Sequence, residues 1–302
     1  MNKAGDYEYL KHCPLCDSGE GFSLLFGCRD FLVSGESFSV TRCKSCGFVL
    51  TNPRPYARNT RQYYQSENYI SHTDSDKGLM AKVYQLVRKK MLKTKLNKLK
   101  SLPIKSKNLL DVGCGTGAFL EAARSNGFQV KGFEPGEAPG KIAAEKGLEV
   151  MSREEELLKL EAGSFQLITL WHVLEHVPDF LPKMKLFHRL LSDEGFLVLA
   201  LPMHQSFDAG FYKNQWAAWD APRHLYHFDE KSLNLSAQKT GFQVHEKFGL
   251  PFDSYYVSIL SEGYKENLFG KFRALAIGTW SNLMAVSGKK PWSSEVFILK
   301  KA

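Results

Sequence analysis

Short apolar runs alternate with amphipathic segments along the chain from Lys107 onward. The runs have the length of buried strands, and the amphipathic segments repeat their apolar positions about every 3.6 residues, as helices do. The runs predict strands at residues 109–112, 129–133, 148–150, 165–170 and 195–201. The periodic segments predict helices at residues 117–126, 138–146 and 180–191. Repeated strand–helix units predict a parallel sheet with helices on both faces, which is an α/β fold.

The C-terminal part departs from this alternation. Residues 242–248 and 295–299 have the pattern of strands that could close the sheet as an antiparallel edge. Between them, residues 253–287 form a predicted helical insertion with many apolar positions. Its charge-free run at residues 274–287 is too short to span a bilayer. The surplus apolar surface makes the insertion a candidate contact for a homodimer, a ligand-site cover or a membrane surface.

The first third of the chain has a different pattern. Residues 1–50 lack helical periodicity, and the two prolines of Thr51-Asn-Pro-Arg-Pro55 stop any regular element. A short aromatic helix is expected at residues 61–69, and a basic amphipathic helix up to Lys100. We therefore predict three parts, which are a small module at 1–52, a linker with the basic helix at 53–106, and the α/β domain at 107–302.

Four of the six cysteines form two C-x2-C pairs, Cys13 with Cys16 and Cys43 with Cys46. Such a turn presents two thiolates to one ion, and two turns complete a tetrahedral zinc site with no open position. We therefore predict a structural Zn²⁺, which replaces the core that so short a module lacks. Cys28 is outside both pairs and is expected to be a small buried residue.

The net charge of +8 lies entirely in the first hundred residues, because the rest of the chain holds equal numbers of basic and acidic side chains. The segment Lys77–Lys100 contributes nine basic residues and no acidic one. The simpler interpretation is the solvated face of a helix, and the functional alternative is a surface that attracts phosphates. The first residues contain no apolar core of a secretory signal, so we expect a cytoplasmic protein.

A glycine-rich turn, Asp111-Val-Gly113-Cys-Gly115-Thr-Gly117, follows the first predicted strand of the α/β domain. Glycines let the backbone approach a ligand that a Cβ would obstruct. The spacing also fits a dinucleotide-binding turn, with Glu134 as the ribose-binding acid. Asp111 would repel a pyrophosphate, whereas S-adenosylmethionine (SAM) brings a cationic ammonium and sulfonium. We therefore favour SAM, with Glu134 accepting hydrogen bonds from both ribose hydroxyls.

Three motifs occur in order, which are the glycine turn, Gly132-Phe-Glu134-Pro, and the segment from Leu170 to Asp179, LWHVLEHVPD. Together they resemble the successive motifs of class I SAM-dependent methyltransferases. The resemblance spans roughly residues 79–302 and implies a Rossmann-like, mostly parallel seven-stranded sheet. It also implies a ligand site in which the methionine end, the ribose and the methyl-transfer mouth lie against Asp111, Gly113, Cys114, Gly115, Gly117, Glu134, Pro135, Trp171 and His172.

The string His172-x-x-Glu175-His176 also matches an inverted zinc-peptidase signature. A peptidase needs both histidines on one face of a sustained helix, yet this string follows a buried strand directly and Pro178 interrupts it. The carboxyl ends of strands in open α/β sheets are instead where ligands bind. We therefore set the peptidase aside and keep two roles for His176, a cap of the next helix or a contact with substrate.

A polar and aromatic loop follows the fifth predicted strand, and its densest part reads Trp219-Asp-Ala-Pro-Arg-His-Leu-Tyr-His227. Loops at this end of a sheet carry function, and methyl transfer requires alignment and sometimes removal of a proton. His224 or His227, oriented by Asp220, is the candidate base, and Arg223 is the candidate grip on an anionic group. The alternative is a rigid lid whose polar groups bond to backbone.

The favoured function is SAM-dependent methyl transfer to a small anionic metabolite, phosphorylated or nucleotide-linked. The cysteine module resembles zinc segments that precede methyltransferase domains in bacterial families, sugar-modifying ones included, which implies a sugar acceptor. One alternative is an RNA methyltransferase with a zinc targeting module, but the neutral α/β half argues against nucleic acid. A non-enzymatic zinc adaptor is disfavoured because Asp111, the glycines and Glu134 are intact.

Overall fold

The computed structural model describes residues 6–64, 79–264 and 269–302, with side chains from residue 85 onward in the second range. Its strands are β1 (Tyr7–Glu8), β2 (Phe22–Arg29), β3 (Ser37–Cys43), β4 (Val49–Thr51), β5 (Arg54–Pro55), β6 (Asn108–Val112), β7 (Gln129–Phe133), β8 (Val150–Met151), β9 (Phe165–Trp171), β10 (Leu191–Pro202), β11 (Tyr226–His227), β12 (Phe242–Gly249) and β13 (Ser294–Lys301). Its α-helices are α1 (Leu79–Lys100), α2 (Ala118–Ser125), α3 (Glu137–Glu145), α4 (Glu154–Leu158), α5 (Phe180–Leu190), α6 (Phe207–Tyr212), α7 (Glu230–Lys239), α8 (Asp253–Gly263) and α9 (Gly270–Val286). Short 3-10 segments occupy Ala57–Tyr64, Leu174–His176, Lys213–Gln215 and Ala217–Trp219.

The main sheet has seven strands in the order β12-β13-β10-β9-β6-β7-β8. All neighbours pair in parallel except at β13, which is antiparallel to both β10 and β12. The predicted Rossmann-like, mostly parallel sheet is therefore confirmed. The third strand is shorter and later than expected, because β8 pairs only through Val150 with Gly132 and through Met151 with Phe133.

Alternate residues of the central strands enter two separate cores. Leu109, Leu167 and Val198 pack on the face that α2 covers. Leu110 and Ile168 belong to the opposite core, which α5 covers. Because successive side chains of a strand point to opposite faces, a sheet buried on both sides requires an unbroken apolar run. This is the pattern from which the strands were predicted.

The N-terminal segment folds as a small antiparallel sheet in the order β11-β4-β3-β2. Its fourth strand, β11, comes from the polar and aromatic loop of the α/β part, where Tyr226 pairs with Leu50 and His227 with Val49. Phe48 continues the contact, because its ring packs against those of Phe180 and Tyr226. Residues 6–52 are thus joined to the α/β part through a shared sheet, and the division of the chain after residue 52 stays a prediction.

The basic segment forms α1, as expected, and it docks by its C-terminal half, where Leu96 and Leu99 are buried. Leu86, in the N-terminal half, is 67% exposed, so among the described side chains only those of the C-terminal half of the helix pack against the sheet. The predicted aromatic helix is a 3-10 segment that ends at Tyr64, and residues 65–69 of that prediction lie outside the described residues. None of the described helices is both long enough and apolar enough to cross a membrane.

Candidate functional site

The glycine turn connects β6 to α2 at the carboxyl edge of the sheet. Gly113, Gly115 and Gly117 all have positive φ, at 72°, 55° and 78°, a region that favours glycine. A Cβ on Gly113 would lie 2.5 Å from the side chain of Val173, and one on Gly117 would lie 2.4 Å from that of Leu148. At Gly115 no heavy atom of the residues that the structure describes lies within 4 Å of a Cβ position. Two glycines therefore permit close packing, and the middle one borders open space.

Glu134 follows β7 and lies beside this open space. Its Oε2 accepts a hydrogen bond of 2.8 Å from the backbone N–H of Gly115. Its Oε1 accepts one of 2.8 Å from the N–H of Gly136, across the exposed Pro135. The carboxylate is thus held in one orientation, and each oxygen keeps a lone pair for a further donor. This geometry fits a ribose diol.

Asp111 lies one strand away and is 2% exposed. Its Oδ1 accepts a hydrogen bond of 2.6 Å from the hydroxyl of Thr169 on β9. Burial raises the pKa of Asp111 to about 7, against the lowering effects of Thr169 and of the Lys95 ammonium. An added cation would favour its ionised form. Cys114, next in the turn, is buried, and burial raises its pKa to about 12, so its thiol stays protonated.

Lys95 and Trp171 bring two further groups to this edge. The Lys95 ammonium, from α1, lies 4.1 Å from the centre of the Trp171 ring. The indole N–H of Trp171 is buried and has no hydrogen-bond partner among the described residues. A buried donor without an acceptor is costly, and a ligand oxygen would remove that cost. Lys95 was not predicted, because one lysine in a basic helix resembles the others until the helix is docked.

His172 follows β9 directly and has a φ of 58°, which is uncommon for a residue with a side chain. Its Nε2 lies 3.1 Å from Oδ2 of Asp253, and its Nδ1 lies 3.7 Å from Oε1 of Glu175. Burial lowers the pKa of His172, but the two carboxylates outweigh that effect and raise it to about 9. One third of the side chain is exposed. Asp253 begins the helical insertion, and no sequence signal connected it to this histidine.

The polar and aromatic loop is largely buried, and its arginine bonds to three protein groups. The guanidinium of Arg223 donates to Asp220, to Asp30 of the N-terminal module at 3.0 Å, and to the carbonyl of Tyr63 at 3.0 Å. Its side chain is 1% exposed. Asp30 was not among the predicted site residues, because it lies 193 positions from Arg223 along the chain. The arginine joins the N-terminal module to the loop.

The two loop histidines are also held by protein atoms. Nδ1 of His224 lies 2.8 Å from the carbonyl of Ala218, and Nε2 of His227 lies 3.2 Å from the hydroxyl of Thr51. Asp220 lies 3.9 Å from His224 and bonds instead to Arg223. These contacts favour the alternative of a rigid lid. The roles of His224, His227, Asp220 and Arg223 in catalysis stay predictions.

The inverted peptidase signature lacks the sustained helix that a peptidase needs, because Leu174–His176 is a 3-10 turn of three residues. His176 does not cap the next helix by its side chain, since Asp179 stands at that position without a side-chain cap bond. Its Nδ1 lies 3.0 Å from the carbonyl of Arg223 and 3.1 Å from the hydroxyl of Tyr64. The string therefore joins β9 to the polar and aromatic loop around Trp219–His227, which we call the lid loop.

The four paired cysteines converge in the N-terminal module. Sγ of Cys13 is 3.7 Å from that of Cys46, and Sγ of Cys16 is 3.7 Å from that of Cys43. Four sulfurs bound to one zinc at ~2.3 Å lie ~3.8 Å apart, so the spacing fits a tetrahedral ion. Burial raises the pKa of Cys43, but backbone N–H groups of Cys46 and Ser45 outweigh it and bring the value to about 7. The chemistry of this donor set fits Zn²⁺.

Comparison with known proteins identifies the family. Residues 84–247, more than half of the chain, match the family model described as "Methyltransferase domain". The chain belongs to this family. The match confirms the membership that the three ordered motifs predicted, and with it the expected class of enzyme.

Two curated relatives of this methyltransferase carry the same name. A stretch of 101 residues is 37% identical to the ubiquinone biosynthesis O-methyltransferase of Pseudomonas paraeruginosa, covering 31% of this chain and 44% of that protein. A stretch of 80 residues is 44% identical to the enzyme of that name from Hahella chejuensis, covering 24% and 34%. The chain thus spans less than half the length of these relatives.

Among solved structures, geranyl diphosphate C-methyltransferase from Streptomyces coelicolor superposes with a TM-score of 0.55. The superposition covers 76% of this chain and 86% of that one, at 12% sequence identity. A putative methyltransferase in complex with the Trm112 activator of Haloferax volcanii superposes with a TM-score of 0.50, at 13% identity, over 67% and 86% of the chains. These likenesses support the fold of the methyltransferase.

Proposed function

We propose that this methyltransferase transfers a methyl group from SAM to an oxygen atom of a small-molecule acceptor. The observation that carries the proposal is the held carboxylate of Glu134 beside the open space at Gly115. Family membership supports the class of reaction. The choice of oxygen rests on the names of the curated relatives, which are O-methyltransferases.

The residues at the sheet edge fit the parts of SAM. Glu134 would accept from the ribose hydroxyls, and the Asp111 carboxylate would face the methionine ammonium. The Lys95 ammonium and the free N–H of Trp171 are donors for the methionine carboxylate. Bound SAM supplies an electrophilic methyl group on a cationic sulfur. The protein needs to hold that methyl in line with the acceptor oxygen and to exclude water.

His172 is the proposed contact on the acceptor side. It stands at the end of β9, its backbone is strained, and Asp253 fixes one ring nitrogen. A strained and partly exposed residue at the carboxyl end of a strand, near the glycine turn, is typical of functional positions. We assign it to positioning of the acceptor hydroxyl. His224, His227 and Asp220 remain the earlier candidates for a base, and their buried contacts support a role in holding the lid.

The finer expectation of a sugar acceptor rests only on the resemblance of the cysteine module to sugar-modifying enzymes, and the expectation of an anionic group rests on Arg223. Arg223, the residue expected to grip an anion, is engaged by Asp30 and Asp220. An RNA acceptor finds no support among the relatives, whose names specify a small molecule. We also propose that the four-cysteine cluster holds a structural Zn²⁺, supported by its sulfur spacing.

Calorimetry on the full chain tests the SAM site directly. We expect heat on addition of SAM and of S-adenosylhomocysteine, and none with a nicotinamide dinucleotide. Heat with the dinucleotide alone would overturn the proposal. Incubation with methyl-labelled SAM and fractionated metabolites would then identify the acceptor, and an O-methyl product is expected. A labelled C-methyl, N-methyl or RNA product would overturn the assignment of the acceptor.

A further inference from the structure

A second cluster of metal-binding side chains lies away from the cysteines. Glu175, His176 and His224 each offer one ligand atom, and these atoms all lie within 4.8 Å of one another. Two come from the turn after β9, and the third comes from the lid loop, so distant parts of the chain meet there. Two imidazoles and one carboxylate are a ligand set for divalent zinc or for iron, with further positions open.

Glu175 has a buried carboxylate that calls for a further partner. It is 1% exposed, and both of its carboxylate oxygens are buried without a hydrogen bond from any part of the chain that is described. The nearest side-chain cation is His172, whose Nδ1 is 3.7 Å from Oε1, beyond hydrogen-bond distance. Buried carboxylates in proteins are paired, hydrogen-bonded or bound to a metal. This one has only a long ion pair with His172, accepts no hydrogen bond from the described residues, and stands beside two further imidazoles.

Both histidines are prepared as metal ligands. Nδ1 of His176 lies 3.0 Å from the carbonyl of Arg223, and Nδ1 of His224 lies 2.8 Å from the carbonyl of Ala218. A carbonyl can only accept, so each Nδ1 carries the proton and each Nε2 keeps its lone pair. Metal-bound histidines commonly donate their second ring nitrogen to a carbonyl in this way, which fixes the tautomer and the ring orientation.

One of the three ligands borders a surface cleft. His176 lines it together with Tyr63, Tyr64, Pro222 and Arg223 among others. Ligand atoms around one ion at bonds of ~2.1 Å lie ~3.4 Å apart. The three ligand atoms lie within 4.8 Å of one another, so binding would draw them together by up to ~1.4 Å.

We propose that Glu175, His176 and His224 bind a divalent transition-metal ion, zinc being the probe of choice, in a site separate from the four cysteines. The ion joins the turn after β9 to the lid loop and leaves at least one coordination position for water or an acceptor oxygen. Because His172 adjoins Glu175, the ion also fixes the turn on which the proposed acceptor contact stands. The site is independent of the SAM proposal and can exist if that proposal fails.

The test counts zinc in the full chain after dialysis and titration with ZnCl₂. We expect two ions per chain in the wild type, and one in His224→Phe and in Glu175→Gln. His188→Phe, which removes a histidine elsewhere, is the matched control and should keep two. X-ray absorption should show one ion with four sulfur ligands and one with nitrogen and oxygen ligands in the wild type. Cys43→Ser with Cys46→Ser should lose the ion with four sulfur ligands.

Two results would overturn the proposal. One is a single ion per chain in the wild type, with sulfur ligands only. The other is an unchanged count of two in both His224→Phe and Glu175→Gln, because the second ion would then be bound elsewhere. Circular dichroism in the presence of zinc shows whether each variant folds, and two substitutions at different ligands keep the test valid if one variant does not.

Discussion

The sheet edge around Glu134 and the lid loop around Arg223 are both rich in polar side chains, yet they differ in what satisfies them. At the edge, the indole N–H of Trp171 has no hydrogen-bond partner among the described residues, and Gly115 borders open space. In the lid, the guanidinium of Arg223 and Nδ1 of His224 bond to other protein groups. A ligand site needs polar groups with unused capacity, whereas a structural joint uses that capacity internally.

The same contrast separates a ligand-binding motif from a structural one. The glycine turn and Glu134 form the ligand-binding motif, in which the backbone must approach a ligand. The Trp-Asp-x-Pro-Arg-His string is a motif in which Asp220 and Arg223 tie the N-terminal module to the α/β part. The following predictions probe this difference, beginning with the largest expected effect.

Removal of the proposed structural zinc should have the largest effect. Cys43→Ser should lose that ion and unfold the N-terminal module, because coordination energy in so small a fold is folding energy, of order several kcal/mol. Since β4 pairs with β11, amide exchange should also rise at Tyr226 and His227. Cys28→Ser, outside the cluster, should keep the zinc. Unchanged protection at β11 would instead support a module that folds independently at 1–52.

Arg223→Met should destabilise the folded protein by about 3–5 kcal/mol, because it leaves the buried carboxylate of Asp30 and the partly buried one of Asp220 without their partner. Urea unfolding followed by circular dichroism measures this loss. Arg153→Met, at an exposed arginine, is the matched control and should change little. If Arg223 grips an anionic acceptor instead, stability would stay near wild type while the KM for that acceptor rises.

Glu134→Ala should weaken SAM binding by about 100-fold, the equivalent of roughly two charge-assisted hydrogen bonds, while the fold is retained. Calorimetric titration gives the affinity, and thermal unfolding without ligand checks the fold. Glu137→Ala, three residues later on the exposed face of α3, should bind SAM normally. An affinity within a few-fold of wild type in Glu134→Ala would contradict the proposed ribose contact.

Asp111 should make SAM binding depend on pH. Burial raises its pKa to about 7, and a bound cation favours the ionised form, so affinity should fall by up to ~10-fold per unit as pH drops below 7. Without ligand, the free energy of unfolding has the opposite dependence on pH. The folded state then binds the extra proton, so the free energy of unfolding should decrease as pH rises from about 4 to 7. Asp111→Asn should flatten both profiles, and unchanged slopes would refute the assignment.

Much of the fold could be predicted because its signals are local. The strands β6, β7 and β9 were placed to within a residue, since continuous apolar runs fit a sheet buried on both faces. The glycine turn was recognised because positive φ at three nearby positions requires glycine. β8 was misplaced, because two paired residues leave too short a pattern to locate.

The site was predicted only in part. Glu134 and His172 follow strands, so topology alone places them at the ligand edge. Lys95 and Asp253 reach that edge from a docked helix and from the insertion, and no spacing in the chain reports such docking. Cysteine spacing predicted the four-sulfur cluster, because paired C-x2-C turns encode their own geometry.

The sequence by itself determined the strands and helices, the class of sheet they form, the turn that needs glycines, and the two cysteine pairs. These depend on neighbours a few positions apart. The tertiary structure decided which polar groups bond to other protein groups and which are left for a ligand. Asp30 and Arg223, or Glu175 and His224, meet only after folding, and burial then makes every unpaired group costly enough to require a partner.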